Sequence, residues 1–216
     1  IHENKFYGMK DAIAVTLETH EYVDLGLSVK WATCNVGAST PEDYGWYFMW
    51  GSTTNGGDSN CSWANCPGNG GNSSYNETAF NTWKSSNLTD NNVLNPEVDV
   101  DAARANWGGA WRMPTKEEFQ ELDENTTSTW TTENGVKGRK FTSTKEGYTD
   151  KYIFLPAAGN RDGTGVNNAG SIGYYWSSLL NSSNPGFAYY LHFVSGGVIT
   201  RDYQSRRYGY PVRPVW

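Results

Sequence analysis

GYYWSSLLNSSNPGFAYYLHFVSGGVITRDYQSRRYGYPVRPV, residues 173–215, is the stretch around which the chain is organised. It opens on Tyr175-Trp176-Ser177-Ser178 and closes on Val212-Arg213-Pro214-Val215. Between these anchors, apolar residues that alternate along strands (Leu191, Phe193, Val198) are interleaved with tyrosine, arginine, histidine and aspartate. Tyrosine and arginine give large contact area and hydrogen bonding at low entropy cost, so they are enriched in recognition surfaces. One reading is an amphipathic hairpin with an aromatic outer face; the sharper one is a binding face carried on a rigid sheet. Alternation then sends the neighbours of buried residues outward. With Leu191 and Phe193 inside, Tyr190, His192 and Val194 are expected outside.

The composition limits what such a face can bind. The 216 residues hold ten Trp and fourteen Tyr, so aromatic side chains must supply much of the buried area of one large domain. A net charge of −6 argues against nucleic acid, whose phosphates need a basic stripe. The local cluster Arg201, Arg206 and Arg207 suits an acidic protein or a sugar equally well. No apolar run approaches membrane-spanning length, which argues against direct membrane insertion. The sequence starts at Ile1 without Met, as expected of a processed or truncated chain, so a missing signal peptide says nothing of compartment. Of three cysteines, Cys61 and Cys66 either close a small disulfide loop or stay reduced, and Cys34 reads as a buried thiol.

Along the chain, residues 1–19 read as a linker or the edge of a preceding domain, with a strand over Ala12–Leu17. Residues 20–216 read as one domain. His20–Gly37 gives one or two strands, and Asp43–Gly51 an aromatic buried loop or short strand. Residues 52–92, rich in Gly, Asn, Ser and Thr, read as a long surface insertion pinned by Trp63, Tyr75, Phe80 and Trp83. Asp99–Trp107 has helical character ended by Gly108-Gly109. Thr115 and Glu118 form a capping box, so a helix starts at Lys116 and buries Phe119 and Leu122. Asn134-Gly135 marks a hairpin within Thr129–Ser143, and Lys151–Ala157 reads as an apolar strand. Two short helices followed by a twisted antiparallel sheet make an α+β domain. Its expected core is Trp31, Trp50, Trp107, Trp111, Phe119, Leu155, Trp176, Leu191, Phe193 and Val212.

The motifs DLGLSVKWATCNVGA (24–38), WRMPTKEEF (111–119), IFLPAAG (153–159), YWSS (175–178) and RRYGYPVRPV (206–215) carry a resemblance. They resemble the Fibrobacter succinogenes major paralogous domain family of Bacteroidetes secreted and surface proteins, from about His20 to Trp216. That family is similar to the C-type lectin fold, in the branch shared with formylglycine-generating enzymes, whose Arg-Leu-Pro-Thr-Glu helix start resembles Arg112-Met113-Pro114-Thr115-Lys116. The resemblance implies a C-type-lectin-like domain displayed outside the cell, on a cell surface or on a phage virion. The same fold and a comparable terminal framework serve variable proteins of diversity-generating retroelements, which randomise adenines, chiefly in Asn codons. Such codons cannot become Trp, Met, Lys, Glu or Gln, and across Tyr174–Tyr210 only Trp176 and Gln204 lie outside the reachable set.

Catalysis is not expected. The formylglycine-generating reaction needs a late pair of cysteines, and no Cys follows Cys66. Ser177 or Ser178 as nucleophile would need His192 as base with a carboxylate behind it, and nothing in the sequence places one. Glu-Pro-Asn and Trp-Asn-Asp, the calcium motifs of classical lectins of this fold, are both missing. Asn160-Arg161-Asp162-Gly163 and Asp99-Val100-Asp101 offer oxygen ligands but read as turn chemistry. No cofactor or metal is therefore expected, with a structural calcium left open.

The expected function is non-enzymatic ligand binding through Tyr174, Phe187, Tyr190, His192, Val194, Ile199, Arg201, Asp202, Tyr203, Ser205 and Tyr210. Aromatic residues would fill pockets on a surface protein or glycan of another cell or host, and the arginines would pair with its carboxylates. The alternatives are a fixed carbohydrate-binding adhesin using Trp63, Tyr75 and Trp83, or a spacer in a surface or tail protein.

Overall fold

Glycine and asparagine in left-handed conformations, caps and hairpin turns divide the chain into short elements. The structure, a computed structural model, describes residues 20–56 and 60–216. The expected strand Ala12–Leu17 and the linker 1–19 lie outside the described residues, as does the Arg201 side chain. The class is α+β: short helices with mostly antiparallel strands.

Strands β1 (Tyr22–Val23) and β2 (Trp31–Ala32) pair antiparallel. Three helices follow, α1 (Glu77–Asn87), α2 (Ala102–Trp107) and α3 (Lys116–Glu124). Then come β3 (Thr126–Glu133), β4 (Val136–Ser143) and β5 (Tyr152–Pro156), joined in the order β3-β4-β5. A ribbon of β6 (Asn160–Asp162) and β7 (Gly165–Asn167) leads to β8 (Gly173–Leu180), β9 (Phe187–Val194) and β10 (Gly197–Ser205), ordered β10-β9-β8.

The local signals account for several of these elements. Thr115 accepts from the Glu118 amide at 3.2 Å, and Glu118 accepts from the Thr115 amide at 2.8 Å, so the capping box forms. Arg112 grips the same Glu118 carboxylate through both terminal nitrogens, at 2.8 and 2.5 Å. Phe119 and Leu122 are buried as expected. Asn134 (φ 47°) and Gly135 (φ 85°) take the left-handed pair that a two-residue hairpin turn needs. Asp101 caps α2 by accepting from Ala103 and Arg104 at 2.9 and 3.0 Å, and also accepts from the Met113 amide at 2.9 Å. One buried carboxylate thus ties α2 to the start of α3.

The insertion 52–92 departs from expectation. It contains α1, the longest helix, and a short 3-10 turn at Trp63–Asn65, so the described residues hold three α-helices where two helices were expected. Asn76 caps α1 by accepting from Ala79 at 3.1 Å. The preceding loop is built around the fully buried Asn69, whose Nδ2 lies 2.8–2.9 Å from the carbonyls of Trp63, Asn72 and Ser74. The insertion's aromatic residues pack inward: Trp63 meets Tyr75, Tyr75 meets Phe80, and Phe80 meets Trp83. All of this closes on Arg206, whose guanidinium sits 3.9 Å from the Phe80 ring centre and donates to the carbonyls of Pro67 and Pro185. Trp63, Tyr75 and Trp83 are therefore not a free stacking platform, and Arg206 is buried rather than available to a partner. Cys61 and Cys66 are reduced and buried, while Cys34 is half-buried.

Two hydrophobic clusters lie on opposite faces of the β8–β10 sheet. One holds Trp31, Phe119, Phe141, Leu155, Tyr175, Leu191 and Phe193. The other holds Phe48, Trp50, Phe80, Met113, Trp176, Tyr190, Tyr210 and Val212. Successive residues Tyr175 and Trp176, like Tyr190 and Leu191, thus enter different cores. This corrects the simple in–out alternation: Tyr190 is only 5% exposed, because its face of the sheet is covered too. Trp107, expected in the core, is half-buried and packs against its edge. The last residues seal the domain by pairing with early ones. Lys30, Ala32 and Val36 amides donate to the carbonyls of Trp216, Pro214 and Val212, and Trp50 donates to Arg206.

Candidate ligand-binding surface

Register places the aromatic side chains of the central sheet. In the β8–β9 pair, Tyr174 stands opposite His192 and Trp176 opposite Tyr190. In β10, Ile199 opposes His192 and Asp202 opposes Tyr190, so Thr200 and Arg201 share the place opposite Leu191. This bulge turns Asp202 toward Tyr190, where an unbulged strand would have set Arg201. The Tyr190 hydroxyl donates to Asp202 Oδ2 at 2.8 Å.

The rings form one continuous stack from wall to core. His192 lies on Tyr174 with centroids 5.2 Å apart, Tyr174 on Tyr210 at 5.0 Å, and Tyr210 on Trp176 at 4.2 Å. Their planes are within 18°, 20° and 27° of parallel. Both faces of Tyr174 are therefore covered, and it offers its edge and hydroxyl outward. Around the outer end of the stack is a hollow of about 470 Å³. Its walls are Tyr174, Tyr190, His192, Gln204, Tyr208 and Tyr210, together with Asn160, Asp162, Asn167 and Asn168 of the ribbon. Arg207, beside it, is ion-paired with Asp162 and donates to the Tyr208 hydroxyl at 2.9 Å. Arg207, one of the arginines expected to meet a partner's carboxylates, is thus already paired within the chain.

Apart from the Asp162 carboxylate, paired with Arg207, the hollow is lined by neutral donors and acceptors. Burial raises the pKa of Tyr174, and burial followed by the Asp202 carboxylate raises that of Tyr190. Burial lowers the pKa of His192, with Asp202 opposing the shift, so the imidazole is held neutral. His192 Nδ1 is buried and has no hydrogen-bond partner among the described residues. Such a surface reads a polar ligand through hydroxyl, amide and imidazole groups rather than through open ring faces.

The expected site residues divide. Tyr174 and His192 line the hollow, with Tyr190 and Tyr210 as its floor. Tyr210, at 2% exposed, is core and not an outward contact, and Tyr190 is buried as well. Asp202 supports Tyr190 from behind. Ile199 is 50% exposed opposite His192, and Val194 is half-buried beside the turn, its carbonyl accepting from Arg139 at 3.1 Å. Phe187 and Tyr203 belong to the other face of the sheet. There Tyr203 meets Phe187 and Tyr189 edge-on, and Lys116 Nζ lies 4.5 Å from the Tyr189 ring centre. Ser205 is buried. Arg201 lies outside the described side chains. Sequence reasoning missed Gln204, Tyr208 and the ribbon residues Asn160, Asp162, Asn167 and Asn168. Their Asn-Asp-Gly composition signalled only a turn.

The serines and carboxylates considered for chemistry have structural duties. Ser177 Oγ donates to Tyr189 O at 2.9 Å and Ser178 Oγ to Pro114 O at 3.2 Å. Asp101 caps α2, and Asp162 is held by Arg207. No cluster of three or more His, Cys, Asp or Glu groups placed for a metal occurs among the described residues.

Residues 125–215 match the model of a domain of unknown function, DUF8237. The matched stretch begins where α3 ends, spans β3 to β10 and includes every residue lining the hollow. No curated protein and no solved structure matches the chain.

Proposed function

We propose that this chain is a non-enzymatic ligand-binding module of C-type-lectin-like fold, which binds through the hollow at the outer end of the His192–Tyr174–Tyr210–Trp176 stack. That stack is the observation that carries the reading. It fixes the wall of a polar hollow to the core, so little side-chain freedom is lost when a ligand docks. The motif resemblance supports the C-type-lectin-like assignment, as does the pairing of the last residues with the first strands. The ligand is a surface protein or glycan of another cell or host, met outside the cell or on a virion. Because the Tyr174 faces are covered, it is held by hydrogen bonds at the rim.

The purified chain, incubated with candidate target cells and with a glycan array, is compared with His192→Ala and Gln204→Ala. Binding should fall at least about tenfold in each, as loss of one buried hydrogen-bonding contact implies. Unaltered binding in both variants would rule the hollow out. The resemblance to retroelement-diversified proteins adds a population test. Deep sequencing of the 3′ end of the gene should show substitutions concentrated at hollow-lining positions such as Tyr174, His192 and Tyr208, with Trp176 and Val212–Val215 constant. A uniform sequence would leave a fixed adhesin.

A further inference from the structure

A second pair of hollows lies among residues of the early strands and α2, and shares no residue with the C-terminal hollow. Their volumes are about 470 and 290 Å³, and they adjoin, sharing His20, Ala38, Ser39 and Trp107. Trp46, 39% exposed, forms one wall. Its indole lies flat on the backbone of Gly37 (φ +78°): a Cβ at that glycine would run into three atoms of the ring at once. One ring face is thereby fixed to the backbone, and the rest of the part-exposed ring borders the hollow. Trp107 is set just as firmly, stacked on His20 at 3.8 Å and meeting Trp111 edge-on at 5.1 Å.

The polar groups are Glu21 and Thr33 in the larger hollow, Asn106 in the smaller one beside Trp46, and Ser39 in both. The Asn106 amide is oriented by donating to Thr53 O at 3.0 Å and Ala102 O at 2.8 Å. Among the described residues no lysine or arginine lines either hollow, so an anionic ligand finds no counter-charge there. A cation on the same indole is the competing occupant, and the hydroxyl and amide groups of Thr33, Ser39 and Asn106 favour a hydroxylated ring over it. A fixed, part-exposed indole beside hydroxyl and amide groups, with a carboxylate in the adjoining hollow, fits a ring with an apolar C–H face and a hydroxylated rim.

We propose that the Trp46 hollow is a second binding site, which takes a pyranose unit of a neutral glycan. The sugar's C–H face lies on the indole and its hydroxyls exchange hydrogen bonds with Ser39 and donate to Asn106 Oδ1, while the next unit, in the adjoining hollow, donates to Glu21. Two adjoining hollows accommodate two consecutive units of one chain.

Native-gel electrophoresis of the full chain in gels containing galactomannan, xylan, mixed-linkage β-glucan or dextran is the direct test, followed by calorimetric titration with the hexasaccharide of whichever polymer retards it. At least one polymer should retard the protein. Trp46→Ala should weaken the titrated affinity about tenfold, the loss of one stacked ring. Glu21→Gln, an exposed change that leaves the packing of Trp46 untouched, should weaken it about threefold by loss of one charge-assisted hydrogen bond. The proposal is overturned if no polymer retards the wild-type chain, or if both variants are retarded like it. Equilibrium sedimentation that showed a dimer abolished by Trp46→Ala would overturn it in favour of a second copy of this chain on the same surface.

Discussion

The rings of Trp176 and Tyr210 stack 4.2 Å apart, and the Trp176 indole donates to the Phe48 carbonyl at 2.8 Å. Tyr210 in turn exchanges backbone hydrogen bonds with Phe48, from its amide at 3.0 Å and its carbonyl at 2.9 Å. Three distant segments meet at this one point, so Tyr210 is part of the frame. Tyr210→Ala should cost about 3 kcal/mol, as deletion of a buried aromatic does. Tyr203→Ala, on an exposed ring, should stay within about 0.5 kcal/mol. Urea titrations of the two single variants separate them, and equal losses would show that Tyr203 is also structural.

Alkali should unfold this protein by way of its buried phenols and thiols. Burial pushes Tyr47 up to about 12, and Cys61 and Cys66 up to about 11. The unfolded chain therefore releases these protons at lower pH than the folded one. Stability is complete below the ordinary thiol value, begins to fall above about pH 9, and falls more steeply above about pH 10 as the phenols join. Tyr47→Phe, which deletes the 2.6 Å hydrogen bond to Ala158 O, should reduce the slope above pH 10. Thermal midpoints recorded from pH 7 to 11 would show it, and a flat profile would contradict it.

Arg206 holds the insertion to the C-terminal segment. Arg206→Ala removes the donors to Pro67 and Pro185 and the cation over Phe80. A loss of about 3 kcal/mol is expected, in the range for breaking a buried charged hydrogen-bond network. Limited proteolysis should then cut first between residues 60 and 76, with α1 retained longer. Cleavage at the same sites and rate as in the unaltered chain would mean the insertion is held by its aromatic packing alone.

Asp101→Ala should destabilise by more than an ordinary cap. A surface cap is worth about 1 kcal/mol. This carboxylate serves Ala103, Arg104 and Met113, and its loss strands three amides, two of them in buried residues, so about 3 kcal/mol is expected. Circular dichroism melting of Asp101→Ala against Asn76→Ala, which strands only the Ala79 amide, gives the comparison.

What could be read from the sequence was what neighbours in sequence decide. The Thr115–Glu118 capping box, the Asn134-Gly135 turn and the β5 strand rest on contacts within a few residues, and they form where expected. Tyr190 and Tyr210 were misplaced because strand alternation assumes one open face. Here the second face is closed by Phe48, Trp50 and Phe80, which come from far away in the chain. The helix α1 was hidden by its Asn, Ser and Thr content, although Phe80 and Trp83 stand one helical turn apart on its inward side. The ribbon residues Asn160 and Asn168 were invisible as binding groups, since only folding brings them beside Tyr174.

The seam between residues 30–50 and 206–216 also orders events in time. Trp31, Phe48 and Trp50 have partners within residues 206–216, so these bonds cannot form on a growing polypeptide until that segment has been made. Contacts so widely separated make closure slow compared with the hairpins β3–β4 and β9–β10, which form from adjacent residues. Closure of this domain therefore waits on the arrival of Val212–Trp216 rather than on the earlier sheets.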